Sequence, residues 1–157
     1  GDRMLDTFIA TPTMSTYLLA LVVSDFESIT DHLTYGAFAR PNAIDQAKYA
    51  VSVMQPVVKF FETSLNIPYT LNKLDMVALP DFTSGAMENW GLITYRETNM
   101  LYDQMYSAIT SKQAIINVIA HEVSHQWFGN LVSPHWWKYL WLSEGFARYF
   151  QYHATAK

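Results

Sequence analysis

The sequence predicts a mixed α/β fold in which a small sheet packs on long helices. Three observations carry this reading. Short apolar or β-branched runs at 33–39, 74–79 and 91–95 adjoin Pro or Gly punctuation, the signature of strands. Two longer runs, at 42–65 and 112–128, place apolar residues at helical spacing. Half of the 157 residues are hydrophobic and 15% are charged, so one core can cover a sheet and several helices.

Taken in order, residues 1–24 read as two strands. Phe8, Ile9 and Ala10 precede a Thr11-Pro12 break, and 15–23 is rich in Leu, Val and Tyr. Ser24, Asp25 and Phe26 mark a boundary. The 33–39 strand ends before Pro41. The 42–65 helix presents Ile44, Ala47, Tyr49, Ala50, Val53, Met54, Val57, Val58, Phe60 and Phe61 on one broad apolar face. Pro56 lies inside it and lacks an N–H, so a kink or split is expected near Met54. The 74–79 strand stops at Pro80-Asp81, and 91–95 is a further strand. The polar stretch 95–110 reads as a loop with a short turn.

Residues 112–128 contain no Pro or Gly, and Ile115, Ile116, Val118, Ile119, Val123, Trp127 and Phe128 leave few polar sides. Such a helix is expected to be buried. Thr110 and Gln113 read as its capping box, and Gly129 as its left-handed stop. After a Ser133-Pro134 turn, a third helix is expected from about 142, capped by Ser143. The run Trp136, Trp137, Lys138, Tyr139, Leu140, Trp141 reads as packing between the last two helices.

A net charge of −4 gives no basic footprint, which argues against a nucleic-acid partner. The absence of cysteine removes any disulfide framework. The apolar run 17–23 is far too short to span a bilayer. The opening residues do not read as a signal peptide, and the chain reads as a piece of a longer one. His32 reads as a plain surface residue in a loop, and His135 and His153 have no partner at ligand spacing and read as non-metal residues.

The chemistry concentrates in His121-Glu122-Val123-Ser124-His125, an instance of H-E-x-x-H. Four residues apart on a helix, the two histidines share one face. They can hold one zinc ion at about 2.0–2.1 Å from each nitrogen. Glu122 is turned about 100° away. It is poorly placed as a ligand and well placed to hold a metal-bound water as general base. The competing reading is two satisfied histidines in an apolar helix. A catalytic zinc takes three protein ligands plus water. Glu144, separated from His125 by 18 residues, supplies the third if the last two helices pack antiparallel.

H-E-x-x-H followed by Glu at this offset is the gluzincin arrangement. Upstream stand Gly85-Ala86-Met87-Glu88-Asn89 and Trp90-Gly91-Leu92-Ile93-Thr94-Tyr95-Arg96-Glu97. Together with the His121 to Val132 stretch and Trp141-Leu142-Ser143-Glu144-Gly145-Phe146-Ala147, they resemble the zinc aminopeptidase family that includes aminopeptidase N; Leu131-Val132-Ser133-Pro134 and Ala147-Arg148-Tyr149-Phe150-Gln151-Tyr152 look most like its insect gut-surface members. One departure is Ser143, where the family usually has Asn; either can cap a helix.

The resemblance implies a partial thermolysin-like catalytic domain over 25–157, preceded at 1–24 by the last strands of an N-terminal β-domain. It implies one zinc per chain on His121, His125 and Glu144, with Glu122 as general base. Gly85, Ala86, Met87, Glu88 and Asn89 would bind substrate. Glu88 would pair with the α-amine of a peptide with a free N-terminus, and Met87 would border the pocket for a neutral first residue. It also implies the rest of a full-length chain as partner and the extracellular face of the plasma membrane as location. The family's oxyanion-stabilising tyrosine would lie beyond this chain, since Tyr149 and Tyr152 come too early and sit on an apolar helix. The rival reading is a cell-surface receptor or binding module with a vestigial zinc site. Intact Glu122 argues against it, because a structural zinc needs no base.

Overall fold

A computed structural model describes residues 3–31 and 34–156. Five strands form one sheet in the order β1-β2-β3-β5-β4. They are β1 (Glu27–Asp31), β2 (Tyr35–Ala39), β3 (Leu74–Leu79), β4 (Ala86–Met87) and β5 (Leu92–Arg96). The helices are α1 (Lys48–Leu65), α2 (Ile109–His125) and α3 (Leu140–Thr155). β2, β3 and β5 run parallel at the centre, and β1 and β4 are antiparallel edges. Parallel neighbours need a crossover, and α1 supplies it between β2 and β3.

The core lies between the sheet and α1 and α2. Ala37, Met76, Ala78, Ile93 and Tyr95 from the strands meet Met54, Val58 and Phe61 of α1 and Ile115, Ile119 and Val123 of α2. Trp127 stacks on Phe61 at 5.4 Å and donates its indole N–H to the Ile67 carbonyl at 3.1 Å. Phe128 stacks on Phe146 and Phe150 at 5.0 and 5.1 Å, which seats α3 against the end of α2. The α/β class and the three central strands are therefore as the sequence predicts.

Several local expectations need correction. Residues 8–10 and 15–23 form no strand; the latter stretch holds a short 3-10 turn, Thr16–Leu18. A strand needs a partner for its N–H and C=O groups, and none of the described strands lies beside them. Leu19, Leu21 and Val23 accordingly stay exposed, while Leu18 is buried. β1 has no strand signal in the sequence, because its residues Glu-Ser-Ile-Thr-Asp carry a single large apolar side chain. The start of the 33–39 strand and the reading of His32 as a surface residue fall outside the described residues.

Pro56 does not split its helix, and α1 is continuous through it. The proline sits on the exposed side, where water can satisfy the carbonyl left without a partner. α2 has Ala108 at its N-cap with no side-chain bond, and Gln113 donates instead to Asn117 at 3.1 Å, so the capping box is absent. Ser143 does not cap α3. The helix starts three residues earlier, and the buried Ser143 hydroxyl donates to the Leu140 carbonyl at 3.0 Å. Trp136, Trp137 and Trp141 are exposed rather than packed between the helices.

Gly91 is one position where glycine is required. Its φ is +85°, and a Cβ there would lie 2.8 Å from Leu71 Cδ1. Gly91→Ala should lower stability by about 1–3 kcal/mol, the cost of a non-glycine residue held at positive φ. A thermal melt should show a drop of several degrees; an unchanged midpoint would contradict the assignment.

Candidate functional site

α2 carries His121 and His125 one turn apart, with His125 its last residue. A helix C-terminus has partial negative charge, which favours a cation there. The helix is closed tightly. The N–H groups of Asn130, Leu131 and Val132 donate to the carbonyls of His125, Gln126 and Trp127 at 3.0, 3.3 and 3.1 Å. Gly129, at φ +134°, makes this return possible, and a Cβ on it would sit 3.3 Å from His125 Nδ1.

Each imidazole is held by its outer nitrogen. His125 Nδ1 lies 3.0 Å from the Phe128 carbonyl, and His121 Nδ1 lies 2.9 Å from Gln151 Oε1. Both partners are acceptors, and Arg148 Nη1 also points at Gln151 Oε1 at 3.5 Å. Nδ1 is therefore the donor in each ring, which turns both Nε2 atoms inward as the ones a metal would take. These face each other at 3.2 Å, and Glu144 Oε2 stands 3.4 and 3.6 Å from them. A tetrahedral zinc with bonds of about 2.0–2.1 Å separates its ligand atoms by about 3.3 Å. The donor set and its spacing thus fit zinc. Glu144 lies in the second turn of α3, not the first, and α3 brings it to α2 as the antiparallel packing requires.

A second group sits beside this triangle. One carboxylate oxygen each of Glu88 and Glu122 and a ring nitrogen of His125 lie within 4.8 Å of one another. All three residues are buried, with Glu88 and Glu122 each 6% exposed. Burial pushes the Glu122 carboxyl up to about 7 against the pull of His125 and His121. That is the range of a proton-transfer group at neutral pH. Burial opposes charge on His125, yet Glu144, Glu88 and Glu122 outweigh it and push that imidazole up to about 9. His121 and His125 hold Glu144 well below the usual carboxylate range.

The Gly85 stretch is itself a strand. β4 pairs Ala86 with Tyr95 and Met87 with Thr94, at the edge of the sheet. Its carbonyls are fixed from several sides. Gly85 accepts from the Arg96 N–H at 2.9 Å and from Asn99 Nδ2 at 3.0 Å. The Glu88 carbonyl accepts from Gln126 Nε2 at 3.3 Å and Asn130 Nδ2 at 3.0 Å. Asn89 donates to the Leu18 carbonyl at 3.3 Å and accepts from Thr94 Oγ1 at 3.0 Å. The Leu18 turn thereby places Tyr17 near the acids. Its hydroxyl is pushed up to about 12, by burial first and then by Glu88 and Glu144.

Of the residues singled out in the sequence, His121, Glu122, His125 and Glu144 come together as one cluster, with Glu88 alongside. Gln151, Gln126 and Asn130 were missed. Gln151 follows Glu144 by seven, which puts both on one helical face, so spacing could have found it. Gln126 and Asn130 carried no signal beyond being amides in an apolar run. Tyr149 and Tyr152 stay exposed, Tyr149 against His153 at 4.6 Å and Tyr152 beneath Arg148 at 5.0 Å. Among the described residues no helix is long and apolar enough to cross a membrane.

A family model described as the peptidase family M1 domain matches residues 49–157. Among curated proteins, aminopeptidase N of Mus musculus is 52% identical over 151 residues, covering 92% of this chain and 16% of its own length. Endoplasmic reticulum aminopeptidase 1 of Mus musculus is 48% identical over 151 residues, covering 94% and 16%. Aminopeptidase M1 of Arabidopsis thaliana is 46% identical over 159 residues, covering 99% and 18%. The chain spans about a sixth of the length of these relatives.

Proposed function

Because the chain belongs to peptidase family M1, we propose that it acts in a zinc-dependent aminopeptidase that removes a neutral N-terminal residue from peptides. One observation carries the proposal. The His121, His125 and Glu144 ligand atoms stand 3.2–3.6 Å apart, with the buried Glu122 and Glu88 carboxylates beside them.

A zinc ion held by His121, His125 and Glu144 would supply a Lewis acid for the scissile carbonyl and an acidified water. Gln151 and the Phe128 carbonyl hold the two imidazoles with Nε2 turned inward. Glu122 accepts a proton from the attacking water and later delivers it to the leaving amine. Glu88 pairs with the substrate's α-ammonium group, which sets the first peptide bond as the one cleaved. The outer edge of β4 offers main-chain groups to an extended peptide, as in strand addition. Met87, partly exposed on that strand, borders the first side chain, and its thioether adapts to several apolar shapes.

The division into the end of a β-domain at 1–24 and a catalytic part at 25–157 belongs to the same proposal, as does a place on the extracellular face of the plasma membrane. The exposed Leu19, Leu21 and Val23 support the first, as surface that another element would cover.

The test is release of p-nitroaniline from leucine p-nitroanilide by the intact protein. Activity should vanish with a chelator and return with zinc. Indifference to the chelator would sink the zinc reading, and no release under any condition would favour a binding module.

A further inference from the structure

The amine anchor proposed above is Glu88, and its carboxylate can only serve if its backbone is fixed against the zinc helix. Two side chains do this. Gln126 Nε2 and Asn130 Nδ2 both donate to the Glu88 carbonyl, at 3.3 and 3.0 Å, and so use both of its lone pairs. Each is in turn tied to the metal helix. Gln126 Nε2 donates its second proton to the Glu122 carbonyl at 3.1 Å, and the Asn130 backbone N–H donates to the His125 carbonyl at 3.0 Å. Glu88 is thus fixed to the residues that bear the base and a ligand.

The two amides are almost wholly buried, at 1% and 3% exposure. Their orientation is settled, because every partner of the two side-chain nitrogens is a carbonyl. It comes at a cost. Gln126 Oε1 and Asn130 Oδ1 are both buried with no hydrogen-bond partner among the described residues. Leaving a buried acceptor unpaired is unfavourable, and apolar side chains of similar shape would avoid that. Both donors nevertheless point at one carbonyl.

We propose that Gln126 and Asn130 are positioning residues, a two-amide clamp that sets Glu88 at the correct distance from the metal site for reading the substrate's α-amine. The clamp rests on the reading of Glu88 as amine anchor. Neither amide touches substrate or metal; both act through the Glu88 main chain. A shift of the anchor by about 1 Å can cost on the order of 100-fold.

The test compares two inhibitors of the intact zinc-loaded protein. Leucine hydroxamic acid carries the α-amine, and 4-methylpentanohydroxamic acid is the same molecule without it. The ratio of their inhibition constants reads the amine alone. Asn130→Asp replaces a donor by an acceptor at equal size, and Gln126→Met removes the other donor at similar length. Each should shrink the ratio by about 10- to 100-fold. Zinc content and affinity for the amine-free hydroxamate should stay as in the parent. In a Glu88→Ala background, Asn130→Asp should change the ratio no further, since coupled residues are non-additive.

If both hydroxamates weakened equally, or if the Asn130 and Glu88 effects simply added, the clamp would be refuted while the anchor stood. Should Glu88→Ala leave the ratio untouched, the anchor reading itself would fall and the clamp with it. Loss of folding in both clamp variants would assign the amides to structure and also overturn the proposal.

Discussion

Glu122→Gln is expected to lower turnover by about 10²–10⁴, the usual contribution of a general acid–base group, while leaving zinc bound. The amide keeps the size of the carboxylate in a site only 6% exposed. It cannot take up the proton that the attacking water must lose. Burial raises the proton affinity of the native carboxyl, which suits it to take that proton. The metal half of the prediction is equally informative. Glu122 also belongs to the alternative grouping with Glu88 and His125. Were the ion held there, the same substitution would strip it. Zinc retained with activity lost supports the assignment of base; retained activity would remove Glu122 from that role.

Glu88→Ala should cost about 2–5 kcal/mol in transition-state binding, the scale for truncating one partner of a desolvated charge pair. This is a fall of roughly 30- to 4,000-fold in kcat/KM for free-amine substrates. Glu88 is buried beside Glu122 and His125, so an ammonium brought there leaves water and depends on this partner. N-acetylated peptides cannot offer that charge and should be poor substrates of the parent. The substitution should therefore erase most of the parent's preference for a free amine. Equal rates of the parent on free and acetylated peptides would end the anchoring account.

The site was more legible in the sequence than the frame around it. His121 and His125 needed only helical spacing, and Glu144 only an antiparallel return of the chain. Those are short-range consequences of one helix and one turn. The Gly85 stretch was recognised through family resemblance and expected as a strand beside the His121 helix; the fold adds that it lies at the sheet edge with Glu88 buried. Helix ends were misread for a consistent reason. Thr110 and Ser143 have cap-forming side chains, but tertiary packing extended both helices past them, and propensity yields to packing. The strands expected in 1–24 failed because a strand-forming composition states a preference while a ladder requires a partner. β1 went unseen because it gains its place by pairing with β2 rather than by burying its own residues. Gln126 and Asn130 were invisible, since their bonds run to residues 38 and 42 positions away.

The most direct test of the account is the zinc content of His125→Ala beside that of the parent protein, by atomic emission after dialysis against metal-free buffer. His125 is 1% exposed and contributes one corner of the 3.2–3.6 Å triangle with His121 and Glu144. The parent should hold about one zinc per chain, and the variant should lose most of it, because two remaining ligands fall short of the three a catalytic zinc requires. Zinc content equal to the parent's in a folded variant would contradict the ligand set and the active site built on it.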